Sequence, residues 1–279
     1  MNEQIYSTES GNIHYYINKK ANSELTLVFL PGLTADHRLF DKQIAFFEDK
    51  YNILVWDAPG HAASRPFNLN FTLADKAKWL DAIFQAEGIE KPVIIGQSMG
   101  GYVGQIYSEL FPNKLQGFVS IDSAPLQRKY MTDVEIWMLK HTERLYRAYP
   151  WNTLVKSGAK GCAETRYGRD LMEKMLRVYD NDRECYIRLV SAGYRMLAEA
   201  IEADLPYEIR CPVILICGEK DKAGSAKRYN KKWHEVTGYP IYWIRNAGHN
   251  SNTDSPEEIN GIIGDFLSGK LSFRRIMKF

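Results

Sequence analysis

The chain has 279 residues, with 36 lysines and arginines against 34 aspartates and glutamates, for a net charge of +2. So even a balance argues against a nucleic-acid binder, which normally carries a clustered basic excess. The length suits one large α/β domain or such a domain with an insertion, and the 45% apolar share is that of an ordinary globular chain.

The first residues, Met1-Asn2-Glu3-Gln4, are polar and lead into no hydrophobic run, so no signal peptide is expected. No stretch approaches the roughly 18 apolar residues of a membrane span. Cys162, Cys185, Cys211 and Cys217 show no C-x-x-C spacing. A cytoplasmic protein acting on a small molecule, with no metal and no cofactor, is therefore expected. Cys211 and Cys217 flank an apolar run and are expected to be buried thiols.

Residues 4–18 alternate apolar and polar around Ser10-Gly11-Asn12, which predicts a β-hairpin at a sheet edge. Leu25-Thr26-Leu27-Val28-Phe29-Leu30 is an apolar run of the kind found in strands buried on both faces, and it enters Pro31-Gly32-Leu33. A helix is predicted over 39–50, with Leu39, Phe40, Ile44 and Phe47 on one side. Asn52-Ile53-Leu54-Val55-Trp56 is the next buried strand, ending in Asp57-Ala58-Pro59-Gly60-His61. Over 72–87 a helix is signalled by Thr72 as N-cap, Asp75 three residues on, the stripe Trp79, Leu80 and Ile83, and Gly88 as its stop. A strand at 92–95 runs into Gly96-Gln97-Ser98-Met99-Gly100-Gly101 and a helix over 99–110, and Phe118-Val119-Ser120-Ile121-Asp122 is a further strand. Alternating strand and helix imply a mostly parallel sheet covered on both faces.

The rhythm breaks after Ala124-Pro125. From 126 to 207 the patterns are helical, at 131–148, 152–160, 164–179 and 183–203, with Asp133 and Asp182 placed to cap two of the starts. Trp137, Trp151, Tyr146, Tyr149 and Tyr194 lie here, but the block is no richer in aromatics than the whole chain, so they read as helix packing. Strand and helix resume at Pro212-Val213-Ile214-Leu215-Ile216-Cys217, which ends in Gly218-Glu219-Lys220-Asp221. A helix near 225–236, a strand at Ile241-Tyr242-Trp243-Ile244 and the loop Asn246-Ala247-Gly248-His249-Asn250 follow. Asp254-Ser255-Pro256-Glu257-Glu258 opens the last helix, with proline in its first turn. The count is eight strands. The expected division is an α/β core over 1–125 and 208–279 with an inserted helical cap over 126–207. The tail carries Lys270, Arg274, Arg275 and Lys278 without an acid, which reads as a solvated helix end.

Gly96-Gln97-Ser98-Met99-Gly100 is a G-x-S-x-G pattern between a strand and a helix, the context of a sharp turn that lifts a serine hydroxyl above the sheet. Serine is a poor nucleophile without an adjacent base. Of the histidines, His14 falls in a strand and His141 and His234 in helices, while His37, His61 and His249 follow strand ends, where functional groups of such sheets gather. The order serine, acid, histidine that goes with this turn selects His249. Asp221, just past a strand end, is the preferred acid, with Asp122 as the alternative. Oxyanion donors are expected at the N–H of Met99, which follows the nucleophile, and at that of Leu33, since Pro31 has none.

These residues resemble the α/β-hydrolase superfamily, of the helically capped kind. The resemblance rests on Leu30-Pro31-Gly32, Asp57-Ala58-Pro59-Gly60-His61 with Ser64, Gly96-Gln97-Ser98-Met99-Gly100-Gly101, Gly218-Glu219-Lys220-Asp221 and Gly248-His249. It implies a Ser98–His249–Asp221 triad with Leu33 and Met99 as oxyanion donors. The chain departs from the family at Pro31, where a histidine is common, and at Ala62, where a glycine is usual. The expected activity is hydrolysis of a small to medium carboxylic ester or similar acyl compound through an acyl-enzyme. Rival readings are carbon–carbon bond hydrolysis of a vinylogous diketone, cofactor-free haloperoxidase-type activity, and a ligand sensor that keeps the triad. An epoxide or haloalkane hydrolase is disfavoured, since its nucleophile is an aspartate.

Overall fold

The computed structural model describes residues 1–20 and 23–271. The strands are β1 (Asn2–Thr8), β2 (Gly11–Asn18), β3 (Thr26–Leu30), β4 (Asn52–Trp56), β5 (Val93–Gln97), β6 (Gly117–Ile121), β7 (Val213–Gly218) and β8 (Ile241–Ile244). They lie in one sheet in the order β1-β2-β4-β3-β5-β6-β7-β8. The β1–β2 hairpin joins β4 antiparallel, and every later pair is parallel. From β3 the chain steps outward to β4, then returns to the other side of β3 for β5. The carboxyl ends of β3 and β5 therefore flank a reversal of strand order, where open α/β sheets place their ligands.

Successive strand residues face opposite cores. Leu27, Phe29, Ile95 and Val119 pack on one face with Phe47 of α1 (Asp41–Phe47) and Ile259 and Ile263 of α11 (Pro256–Leu267). Val28, Leu30, Ile94 and Phe118 pack on the other with α2 (Leu73–Glu87), α3 (Met99–Leu110) and α9 (Ala226–Thr237). Burial on both faces is what the uninterrupted apolar runs require, each large side chain contributing about 1.5–3 kcal/mol.

Between β6 and β7 run α4 (Asp133–Lys140), α5 (Thr142–Ala148), α6 (Trp151–Cys162), α7 (Arg166–Arg177) and α8 (Arg183–Glu202). The predicted helix over 131–148 is broken at His141. Its imidazole stacks on Trp137, with ring centroids 4.3 Å apart, and its Nδ1 lies 2.7 Å from the Trp137 carbonyl. That carbonyl would take the helical bond from the His141 N–H, which goes to Met138 O instead. Thr132, not Asp133, caps α4, in a capping box with Glu135, while Asp182 caps α8 by accepting from Cys185 N–H. The predicted helix over 39–50 is a 3₁₀ turn, His37–Phe40, followed by α1. The last helix has a short forerunner, α10 (Ser251–Asp254). Trp151, Tyr146, Tyr179 and Tyr194 pack around or beside Tyr186 in α8, with Trp151 5.0 Å from it, so much of the aromatic content is helix packing; Trp137 and Tyr149 are exposed. Cys217 is buried as expected, whereas Cys211 is half-buried. Lys270 pairs with Asp265 at 3.5 Å; Arg274, Arg275 and Lys278 lie outside the described residues.

The Thr72 prediction is met in full. Its hydroxyl accepts from Asp75 N–H, the Asp75 carboxylate accepts from Thr72 N–H, and Gly88 ends the helix at φ 67°. Thr72→Ala should cost about 1 kcal/mol and lower the midpoint of thermal unfolding by about 2–4 °C, read by circular dichroism.

Candidate active site

The turn after β5 is forced by close packing. A Cβ on Gly96 would stand 2.5 Å from the Gly100 carbonyl carbon, one on Gly100 would overlap Leu30 O, and one on Gly101 would stand 2.5 Å from Ser123 Cβ. α3 thus begins directly behind the strand, and Ser98 takes φ 50°, ψ −116°, backbone that an L-residue rarely adopts. Its N–H is tied to Ile121 O of β6 at 2.9 Å. From the far side the loop after β3 presses in: a Cβ on Gly32 would lie 3.1 Å from Ser98 Cβ. Among the described residues, no protein acceptor takes the Met99 or the Leu33 N–H.

Ser98 Oγ is 2.9 Å from His249 Nε2, and His249 Nδ1 is 3.0 Å from Asp221 Oδ2. Asp221 is buried, and its other oxygen accepts from Ala223 N–H at 2.8 Å. Burial opposes the imidazolium form of His249, but the Asp221 carboxylate outweighs it, and the pKa lies above the ordinary histidine value. Asp122 is elsewhere engaged. Its Oδ1 accepts from Gly218 N–H and its Oδ2 from Ser251 N–H, both at 2.8 Å, so it bonds the acid loop and the residues after His249 through their backbones. Burial, then the neighbouring Asp221 charge, push its carboxyl above the usual carboxylate range.

The rival histidines have partners away from Ser98. His37 Nδ1 is 2.8 Å from Asp57 Oδ1, and Asp57 Oδ2 accepts from Ala63 N–H at 3.2 Å. His61 is buried with Nδ1 3.1 Å from Pro59 O, and burial followed by the Lys76 charge pulls its pKa down to about 3. Next to it Ala62 has φ 38°, in the left-handed region that favours glycine. His14 pairs with Glu3, and His141 and His234 bond backbone carbonyls.

Some supporting residues had no signal in the sequence. Gln97, buried inside the serine motif, donates through Nε2 to His249 O at 2.7 Å and to Asn250 Oδ1 at 3.2 Å. Among the described residues, two clusters gather three possible metal-ligand atoms each, Asp36–His37–Asp57 and Asp122–Cys217–Asp221. Their carboxylates are already engaged, Asp36 by Arg38, Asp57 by His37, Asp122 by two backbone N–H groups and Asp221 by His249. A cavity of about 750 Å³ opens between the 65–70 segment and α8, bordered by Phe67, Leu69, Arg188 and Arg195. Ser98 is not in its lining.

The sheet order and the strand–serine–helix turn define an open α/β fold with a serine at the carboxyl end of a central strand. Residues 26–256 match the family model described as alpha/beta hydrolase fold, and the chain belongs to that family of hydrolases. The 3-oxoadipate enol-lactonase 2 of Acinetobacter baylyi is 23% identical over 243 residues, covering 84% of this chain and 85% of that protein. Serine hydrolase BPHL of Mus musculus is 20% identical over 263 residues, covering 92% and 84%. Among solved structures, the enol-lactonase from Burkholderia xenovorans LB400 has a TM-score of 0.72 at 20% identity, covering 95% of this chain and 100% of that one. At that identity the likeness is one of fold.

The neutral, buried His61 makes stability pH-dependent. Its folded pKa lies below the unfolded value of about 6.5, so its contribution is whole above that pH and is lost as pH falls toward about 3. Going from pH 7 to pH 5, the wild-type chain should lose about 2 kcal/mol more unfolding free energy than His61→Gln, measured by urea denaturation at both pH values.

Proposed function

We propose that the chain is a serine hydrolase that cleaves small to medium carboxylic esters or similar acyl compounds, with Ser98 as nucleophile, His249 as base and Asp221 as the acid that orients it. The row Ser98 Oγ–His249 Nε2 at 2.9 Å and His249 Nδ1–Asp221 Oδ2 at 3.0 Å carries this reading. Both distances lie within hydrogen-bond reach, which the base and its orienting group need. Support also comes from the unoccupied Leu33 and Met99 N–H groups, the latter at the start of α3, where the helix dipole favours negative charge. An enol-lactone is a cyclic ester, so the activity named for one relative falls in the same acyl class.

In this mechanism Ser98 Oγ bonds to the acyl carbon as its proton passes to His249 Nε2. The carbonyl π pair moves to oxygen, which the Leu33 and Met99 N–H groups stabilise. Collapse of the intermediate breaks the acyl–oxygen bond, and His249 gives its proton to the departing alkoxide. Water then adds to the acyl-enzyme with His249 as base. The intermediate expels Ser98 Oγ, which recovers the proton, and the acid leaves. Asp221 remains ionised and stabilises the imidazolium at each transfer.

The helical block over 126–207 is assigned here as the cap of this site. In support, α8 lies against the oxyanion loop: a Cβ on Gly193 would stand 2.5 Å from Leu33 Cδ1. Cap residues near Leu33 are therefore in a position to shape the acyl pocket.

Ser98→Ala should lower kcat for p-nitrophenyl acetate by about 10⁶-fold, with the folded state retained by circular dichroism, if the row acts as a unit. Turnover within tenfold of wild type would overturn this reading.

A further inference from the structure

The loop that carries His249 is fastened to the helical insertion at one corner, between α6 and α7, and Asp254 is the fastener. Its Oδ1 accepts from the Thr165 N–H at 2.8 Å and the Thr165 hydroxyl at 2.7 Å. Its Oδ2 accepts from the Gly248 N–H at 2.8 Å, and the Glu164 N–H lies 2.9 Å from Oδ2 and 3.1 Å from Oδ1. Four donors thus converge on one side chain, from segments 89 and 6 residues away in the chain. All four partners donate, a set that a carboxylate matches and an amide does not. The carboxylate also sits at the N-terminal end of α7, where Thr165 is the cap and the helix dipole favours negative charge.

The contact continues on the other side of the histidine. Asn250 N–H donates to Cys162 O, the last residue of α6, at 2.7 Å. The backbones meet closely, since a Cβ on Gly248 would stand 3.0 Å from Cys162 O and 3.4 Å from Ala163 Cα. So Gly248 is tied to the insertion through Asp254 and Asn250 is tied to it directly, while His249 between them faces Ser98, its own carbonyl held by Gln97.

We propose that Asp254 is a positioning residue for the reaction. By clamping the α6–α7 corner onto Gly248 it holds the His249 ring in line with Ser98 Oγ, and proton transfer depends on that corner staying seated. The corner is then a fixed part of the active site, and any opening of the insertion must take place elsewhere in it. This rests on the serine-hydrolase reading above.

The test compares Asp254→Asn, Thr165→Val and Thr165→Ser with wild type. Rates are counted per active site, by the end-point stoichiometry of Ser98 labelling with a fluorophosphonate probe. Asp254→Asn keeps the shape but turns an amide N–H₂ toward N–H donors. Its labelling rate and its kcat for p-nitrophenyl acetate should each fall about tenfold, with KM within twofold of wild type. Thr165→Val removes the hydroxyl's bond to Asp254 together with the cap bond it accepts from Gly168 N–H, and should slow labelling about threefold per active site; Thr165→Ser keeps both and should label at the wild-type rate. The valine–serine pair decides the matter if Asp254→Asn does not fold. Labelling of Asp254→Asn within twofold of wild type would overturn the proposal, as would equal rates for the two Thr165 variants. A wild-type chain that turns over the ester but is never labelled at Ser98 would instead overturn the serine-hydrolase reading, and this proposal with it.

Discussion

The approach of Gly100 to the carboxyl end of β3 is the constraint on which the rest of the site depends. No side chain fits between Gly100 and Leu30 O, and none fits between Gly96 and Gly100. α3 must therefore start immediately behind β5, and the residue at the apex must adopt positive φ. That residue is Ser98, held in a conformation costing about 1–3 kcal/mol by packing on both sides and by the bond from its N–H to β6. The same geometry puts the Met99 N–H at a helix start, next to the hydroxyl, and the loop of Gly32 and Leu33 opposite. The positions of the Ser98 hydroxyl and of the Met99 and Leu33 N–H groups are thus set by one backbone contact, before any histidine is considered.

Around that turn three carboxylates divide the work, Asp122 and Asp221 buried and Asp254 half-buried. Asp221 faces the His249 ring, whereas Asp122 accepts the backbone N–H groups of Gly218 at the end of β7 and Ser251 at the start of α10, and Asp254 accepts that of Gly248. A hydrogen bond to a charged group contributes about 1.5–3 kcal/mol, and an unpaired buried carboxylate would cost more than that. The helical segment between β6 and β7 meets these residues through Cys162, Glu164 and Thr165, which bond Asn250 N–H and the Asp254 carboxylate.

Much of this was legible in the sequence, for physical reasons. Strands buried on both faces are written as apolar runs, hence β3 to β7 were found close to their ends. Thr72, Asp75 and Gly88 marked α2 because capping chemistry is local. The strand–Gly96–Ser98–Gly100–helix pattern marked the turn because only glycine fits at such contacts. What stayed hidden depends on contacts between distant segments. Asp221 is preferred over Asp122 from position alone, but the bonds by which Asp122 joins Gly218 to Ser251 are not written in the sequence. Asp254 draws its donors from residues 164, 165 and 248, a convergence that no spacing encodes. The break at His141 arises from a side chain taking a helical carbonyl, which periodicity does not register. Ala62 kept the left-handed turn without the glycine that would have advertised it.

The central claim is that the strained turn presents Ser98 as a nucleophile activated by His249. Intact-mass analysis after incubation with an organophosphonate, followed by peptide mapping, tests it most directly. The account predicts one adduct per chain, located on Ser98, absent in Ser98→Ala and strongly slowed in His249→Ala. An adduct on another residue, or ester turnover by the wild-type chain with no adduct at all, would contradict it.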